Sequence, residues 1–457
     1  MVTPMTRARA RARAVRLAVS EIPLVVRRSA RQQQQQPPEP AADVPDHFLC
    51  PISLDMMRDP VTAPTGITYD RDGVEVWLER GRPTCPVTGR PLRPEELVPN
   101  HATRRMIQEW CVANRALGVE RVPTPRVPVS AADAREILEG VAAAARRGDA
   151  AACGRMVARA RALGKESERN RRCLASAGAE RALALAFSRL AAASSDQQAE
   201  ARACALEEIL AALVVFFPLD EESRCCIASP PSLDTLVSIL SHGEQVTRVS
   251  AVVVLREIAS SCDNQCLEAM SKANAMYDAL VNLVAKPVSP QATKAALVTA
   301  YYLVKNDIEH AASRLVDLGT VELLVELLAD ADKGTTEKAL AVLDTVLVAA
   351  KARDRAYAHA LAVPVLAKKT MHVSDMATEF AVSALWRLCK NSPADGGCKA
   401  EALQVGAFQK LLLLLQLGCD GVTKERASEL LRLLNASRDS TECIETADFK
   451  GLKRPFI

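Results

Sequence analysis

From Ala131 to about Leu434, apolar residues recur at the spacing of a helix face. Ala251/Leu255/Ile258, Ala339/Leu343/Val346, Ala381/Leu385/Leu388 and Ala427/Leu431/Leu434 all keep i, i+4, i+7. That spacing predicts amphipathic helices, each with one buried stripe. Leu233/Leu236/Val237/Leu240 and Met276/Leu280/Val281/Val284 form a second set between them. Gly178-Ala179, Gly319-Thr320 and Gly406-Ala407 are followed by Leu183, Leu324 and Leu411, each five residues after its Gly. The equivalent positions Leu236, Leu280, Leu324, Val365 and Leu411 are 44, 44, 41 and 46 residues apart.

A period in the low forties, with two or three helices per unit, predicts an all-α solenoid of the armadillo or HEAT type over residues 131–435. The competing arrangement is an irregular helical bundle. Ala131 to Arg172 is helical but out of phase with the later units, and is expected to cap the stack. Residues 436–457 form a tail. Upstream, residues 118–130 hold Pro123, Pro125 and Pro128. Each lacks a backbone donor and disfavours helix before it, so this stretch is expected to be an extended linker. Between Val44 and Asn114 the apolar pieces are short and broken by Pro, Asp and Gly. A small α+β domain over residues 43–117 is the expectation there. Within it Arg71 to Arg80 reads as a helix, with Asp70 as N-cap and Gly81 at C′. Val74, Trp77 and Leu78 then share one face.

Composition narrows the class. Hydrophobic residues make up 49% of the 457, aromatics only 4%, which suits packed helices better than a β-sandwich. The net charge of +3 gives no argument for a nucleic-acid partner. No apolar run approaches the roughly 18 residues that span a bilayer, so no stable membrane insertion is expected. The 14 cysteines are scattered and read as small buried hydrophobes. Residues 1–42 are Arg-rich and poor in acids, with Gln32 to Gln36 and Pro37-Pro38 at their end. A disordered basic arm is the favoured reading, and an organelle transit peptide the other.

The residues with chemical character lie in the small domain. Phe48-Leu49-Cys50-Pro51-Ile52-Ser53, Asp59-Pro60-Val61, Gly66-Ile67-Thr68-Tyr69-Asp70-Arg71, Trp77-Leu78, Cys85-Pro86-Val87-Thr88, Pro91-Leu92, Pro99-Asn100-His101, Ile107 and Trp110 occur in order. Together they resemble a U-box, the metal-free relative of the RING domain. A RING has its zinc ligands at Cys-x-x-Cys. Here Cys50 meets Ser53 at that spacing and Cys85 meets Thr88, and a hydroxyl is a poor zinc ligand. No metal or cofactor is therefore expected. A hydrophobic centre of Phe48, Leu49, Val61, Leu92, Ile107 and Trp110 is expected in its place. A polar network of Ser53, Asp55, Asp70, Arg71 and Thr88 is expected to tie the two loops. Cys50 and Cys85 read as packing thiols rather than nucleophiles.

The resemblance implies more. In the family pattern the loop-one Ile, the helix Trp and the loop-two Pro line a groove for a ubiquitin-charged conjugating enzyme (E2), which assigns that role to Ile52, Trp77 and Pro86. Many such ligases place a cation directly after the Cys-Pro-x-Thr block to bridge E2 and ubiquitin. This chain has Gly89 there, and Arg90 follows as the candidate. The order U-box, linker, armadillo array is similar to plant U-box ligases. The short array and the Phe449-Lys450-Gly451-Leu452-Lys453-Arg454-Pro455-Phe456 ending resemble the stress- and defence-linked subgroup. The implied activity is an E3 ubiquitin ligase without a covalent ubiquitin intermediate, acting by proximity and orientation. Its partners would be an E2, ubiquitin and a protein substrate held by the repeats, and its location cytoplasmic or also nuclear. Self-association is left open. The rivals are an armadillo adaptor with an inactive U-box and a nucleic-acid or membrane binder using the basic arm.

Overall fold

Pro60-Val61-Thr62 and Thr68-Tyr69-Asp70 are short extended segments around a turn at Gly66, whose φ of +82° suits a residue without Cβ. In the computed structural model they pair as antiparallel strands β1 (Pro60–Thr62) and β2 (Thr68–Asp70), with β3 (Val98–Pro99) on the other edge of β1. Val61 sits opposite Tyr69, and both are fully buried. The structure describes residues 44–438 except 82, 124–127, 194–198, 262–263, 372 and 394–396. The Arg-rich arm with its Gln/Pro stretch and residues 439–457 of the expected tail lie outside the described residues, while 436–438 belong to the last helix.

The chain divides into two units, one holding residues 44–136 and 162–177, the other 137–161 and 178–438. In the first, helix α1 (Arg71–Glu79) follows β2 directly and stops before Gly81, where φ is +73°. Asp70 occupies the N-cap position, but its carboxylate does not cap the helix. Its Oδ1 instead accepts the backbone N–H groups of Arg58 (2.9 Å) and Asp59 (2.7 Å). Helix α2 (His101–Ala113) is capped by Asn100, whose side chain accepts the Thr103 N–H. It buries Ile107 and Cys111, one turn apart.

Phe48, Val61, Leu92 and Ile107 form the centre as expected. Trp110 stands at its margin, edge-on to Phe48 at 6.3 Å, and Leu49 is half-buried. Met57, Ala63, Tyr69, Val74, Leu97 and three cysteines join this core, and so does Val122. Gln108 Nε2 donates to the Val122 carbonyl at 3.0 Å. The Pro-rich stretch thus begins as part of the small domain's packing, not as a spacer. Later, the Val129 N–H donates to Asn170 of a helix (Glu168–Ser176) in the same unit. Arg172 of that helix pairs with Glu75 and Glu79 on α1. The segment expected to cap the solenoid is therefore divided, with residues 162–177 joining the small domain.

In the second unit a three-helix module recurs. Its third helices are α3 (Gln245–Ser260), α4 (Pro290–Asn306), α5 (Lys333–Val346), α6 (Asp375–Lys390) and α7 (Gly421–Arg438), and each packs against the next in one row. The periodic positions are their buried stripe: Ala251/Leu255/Ile258, Ala339/Leu343/Val346 and Ala381/Leu385/Leu388 are at most 1% exposed. In α7 the stripe runs through Leu430 rather than Leu431, beside Ala427 and Leu434. Gly178, Gly319 and Gly406 have φ between +73° and +86° and immediately precede helices. This left-handed turn between consecutive helices costs a residue with Cβ about 1–2 kcal/mol, which accounts for the periodic glycine. The unit is a helical-repeat solenoid rather than an irregular bundle.

Candidate functional site

The loops after Cys50 and Cys85 close in the same way. The Cys50 N–H donates to the Asp55 carbonyl (2.8 Å), and the Leu54 N–H returns to the Cys50 carbonyl (2.9 Å). The Cys85 N–H donates to the Arg90 carbonyl (2.7 Å), and the Gly89 N–H returns to the Cys85 carbonyl (2.9 Å). Leu54 and Gly89 occupy the matching left-handed position, at φ +60° and +68°. Gly89 therefore meets a backbone demand that costs any other residue strain. Arg90 follows it, exposed to solvent.

Strand β2 moors both loops through sulfur. The Asp70 N–H donates to Cys50 Sγ at 3.2 Å, and the Tyr69 hydroxyl lies 2.9 Å from Cys85 Sγ. Thr65 Oγ1 reaches Cys85 at 3.4 Å, and Thr88 also bonds it. Burial raises the Cys85 thiol, but the hydrogen bonds from Thr65, Thr88 and Tyr69 outweigh it and bring the pKa down to about 6. Burial and the neighbouring sulfur push the Tyr69 phenol well up, so it stays protonated and donates. Cys85 is only 1% exposed, so this thiolate is not available to attack a substrate.

The polar groups form three separate clusters rather than one ring. Ser53 and Asp55 bond each other locally, since Ser53 Oγ accepts the Asp55 N–H. Thr88 serves Cys85. Asp70 and Arg71 belong to a network centred on Asp59, which the sequence reading quoted in the Asp59-Pro60-Val61 block but left out of the expected network. Asp59 receives Arg71 Nε at 2.7 Å and Arg104 Nη2 at 2.5 Å, with all three side chains at most 23% exposed. An Asp directly before a strand-opening Pro, with Arg on two following helices, is the only sequence signal it gives. Among the described residues no group of three or more His, Cys, Asp or Glu is arranged to hold a metal, and no helix is long and apolar enough to cross a membrane.

Helix α1 holds both loops on one face. Ile52 packs over Gly73, where a Cβ would lie 3.8 Å from the Ile52 Cβ in ordinary van der Waals contact, so the first loop lies on the helix. One turn later Trp77 Nε1 donates to the Thr84 carbonyl at 2.8 Å and ties down the second loop beside Pro86. Ile52, Trp77 and Pro86 are all half-buried, rooted in the domain with surface left over. The loop tips add Leu54 at 74% and Val87 at 55% exposure, two apolar residues that the sequence reading did not single out. An apolar surface, with the thiols of Cys50 and Cys85 both buried, suits gripping a partner better than covalent chemistry.

Residues 44–116 match the family model of the U-box domain, and residues 133–453 match that of the plant U-box protein ARM repeat region. U-box domain-containing protein 21 of Arabidopsis thaliana is 36% identical, with 92% of this chain and 94% of that protein covered. E3 ubiquitin-protein ligase PUB23 of the same plant is 33% identical, over 86% and 92%. A designed armadillo repeat protein of solved structure is 20% identical, with a TM-score of 0.44, over 55% of this chain and 98% of its own.

Proposed function

Because this chain belongs to the plant U-box proteins with an armadillo repeat region, a family whose members include named E3 ubiquitin-protein ligases, we propose that its small domain recruits a ubiquitin-charged E2 and its repeats hold the substrate. The observation that carries the first half is the seating of both loops on one face of α1, through Gly73 and Trp77. Ile52, Trp77 and Pro86 would grip the loops of the E2, and Leu54 and Val87 would widen the contact. The ligase then acts by holding the thioester near a substrate lysine, so the gain is proximity and orientation. Arg90 is the cation nearest in sequence to the Gly89 turn, and on this reading it bridges E2 and ubiquitin. The row of helices α3 to α7 offers the long surface that solenoids use for extended segments. A setting in stress or defence signalling, and a cytoplasmic or nuclear location, join this reading on family resemblance alone.

The test separates the two roles. A chain beginning at Ala131 should still capture the physiological target, fail to modify it, and compete with the intact ligase in cells. The N-terminal fragment must extend to Ala177, because Val122 belongs to the small core and residues 162–177 to the same unit. It should build free ubiquitin chains without modifying the target. Modification of the target by that fragment at the full-length rate would contradict the assignment of substrate binding to the repeats.

A further inference from the structure

Trp386 stands half-buried on α6, facing α7, with three cationic side chains gathered around its ring. Lys390 Nζ lies 4.6 Å from the ring centroid, Arg426 Cζ 5.7 Å and Arg387 Cζ 5.9 Å. An indole face attracts cations, so the ring pins the heads of two helices in place. The cations nonetheless repel one another, and the carboxylates at hand do not balance them. Asp344, buried, takes Arg387 at 2.9 Å together with the Ser383 hydroxyl at 2.6 Å. Glu429 takes Lys390 at 3.0 Å. The Lys390 hydrogen bond, with lesser help from Trp386 and Arg432, holds the Glu429 carboxyl below its usual range, so it is already ionised and committed. Among the described residues Arg426 makes no ion pair with a carboxylate. The patch therefore carries uncompensated positive charge against an aromatic surface, with its donors already ordered.

We propose that Trp386, Arg387, Lys390 and Arg426 form a docking site for an extended acidic segment of a protein target. This rests on the reading that the repeats hold the substrate, and it names the kind of segment they hold. A carboxylate arriving between Arg426 and Lys390 meets heads that the ring has ordered in advance, which lowers the entropic cost of binding. Aromatic and Arg residues together are the usual composition of interface anchors. The chain's net charge of only +3 supplies no broad field for a long polyanion, so a short acidic stretch fits better than a nucleic acid.

The experiment uses the full chain and a short fluorescein-labelled peptide of Asp, Glu and Leu, with a Lys/Leu peptide as the opposite-charge probe, read by fluorescence anisotropy. The acidic peptide should bind, the basic one should not, and added salt should weaken the complex. Arg426→Glu should weaken binding about tenfold or more, whereas Arg426→Lys should stay within about threefold. Trp386→Ala should also weaken it. Because that variant also removes packing between α6 and α7, the Arg426 pair decides. Equal binding of both peptides, or unchanged binding by Arg426→Glu, would overturn the site. Fusing the acidic peptide to an inert carrier separates this claim from the one beneath it. A carrier that docks through Arg426 but is not modified supports the site and removes the substrate-receptor reading. A native target that still depends on the repeats while the acidic peptide fails to bind removes the site alone.

Discussion

Cys85 is sealed from solvent, yet three hydroxyl groups turn toward its sulfur. Its pKa falls from 9.0 to about 6, so the folded state favours the thiolate. The sign follows from linkage. An acid whose folded pKa is lowered contributes fully above its unfolded value and loses that contribution as pH falls through the folded one. The small domain should therefore gain stability from this group as pH rises from about 6 to about 9. Hydrogen exchange of residues 60–70 in the full chain should slow over that window, after correction for intrinsic rates. Cys85→Ala should flatten the trend, and a slope that survives in that variant would show another group to be responsible. Little of this was legible in the sequence. Cys50 and Cys85 read as packing thiols by residue type, and their burial agrees. Their sulfur bonds depend on β2 lying between the two loops, and pairing across some twenty residues leaves no local trace.

Asp59 does at the level of elements what Cys85 does for the loops. It precedes β1 and receives one arginine from α1 and one from α2. Removing this partly buried partner takes the carboxylate from Arg104 and leaves Arg71 only its longer pair with Glu75 at 3.7 Å, so Asp59→Ala should destabilise the small domain by about 3 kcal/mol. Urea unfolding followed at this domain would show it, and a change under about 0.5 kcal/mol, the range of ordinary surface substitutions, would make the pair merely superficial. The helices themselves were readable, because a 3.6-residue stripe is a local property that burial then satisfies. Most stripe positions lie where the spacing puts them, and Leu430 replaces Leu431 by a single position in the last helix. The boundary at the Pro-rich stretch was less readable. Prolines mark where helix fails, but not that Val119 and Val122 return to an apolar centre. Asp70 stands at the N-cap position and binds a distant loop, as its place in the expected polar network requires, but its carboxylate does not cap the helix, because a good capping residue type is also a good acceptor for that loop.

At the scale of the whole molecule, a small domain presents apolar loop tips and a second unit stacks its repeats in one row. The U-box blocks and the repeat period made both visible in the sequence, since each is carried by residue types at set intervals. The proposed groove of Ile52, Trp77 and Pro86 came only through resemblance, because nothing in their own spacing tells a gripping surface from core. Trp77 is a mixed probe of that groove, since its indole also holds the Thr84 carbonyl and with it the second loop. Ile52 is the cleaner one. It lies against Gly73 of α1 and the margin of the small core, and trimming it removes apolar surface while leaving the hydrogen bonds of both loops in place. The most direct measurement is the rate at which a thioester-charged conjugating enzyme discharges ubiquitin onto free lysine, with full-length protein and with Ile52→Ala. The intact chain should accelerate discharge. Losing an anchor worth about 2 kcal/mol should cut the acceleration roughly thirtyfold at limiting enzyme, with thermal unfolding little changed. A well-folded Ile52→Ala protein that discharges the thioester at the native rate would contradict the account.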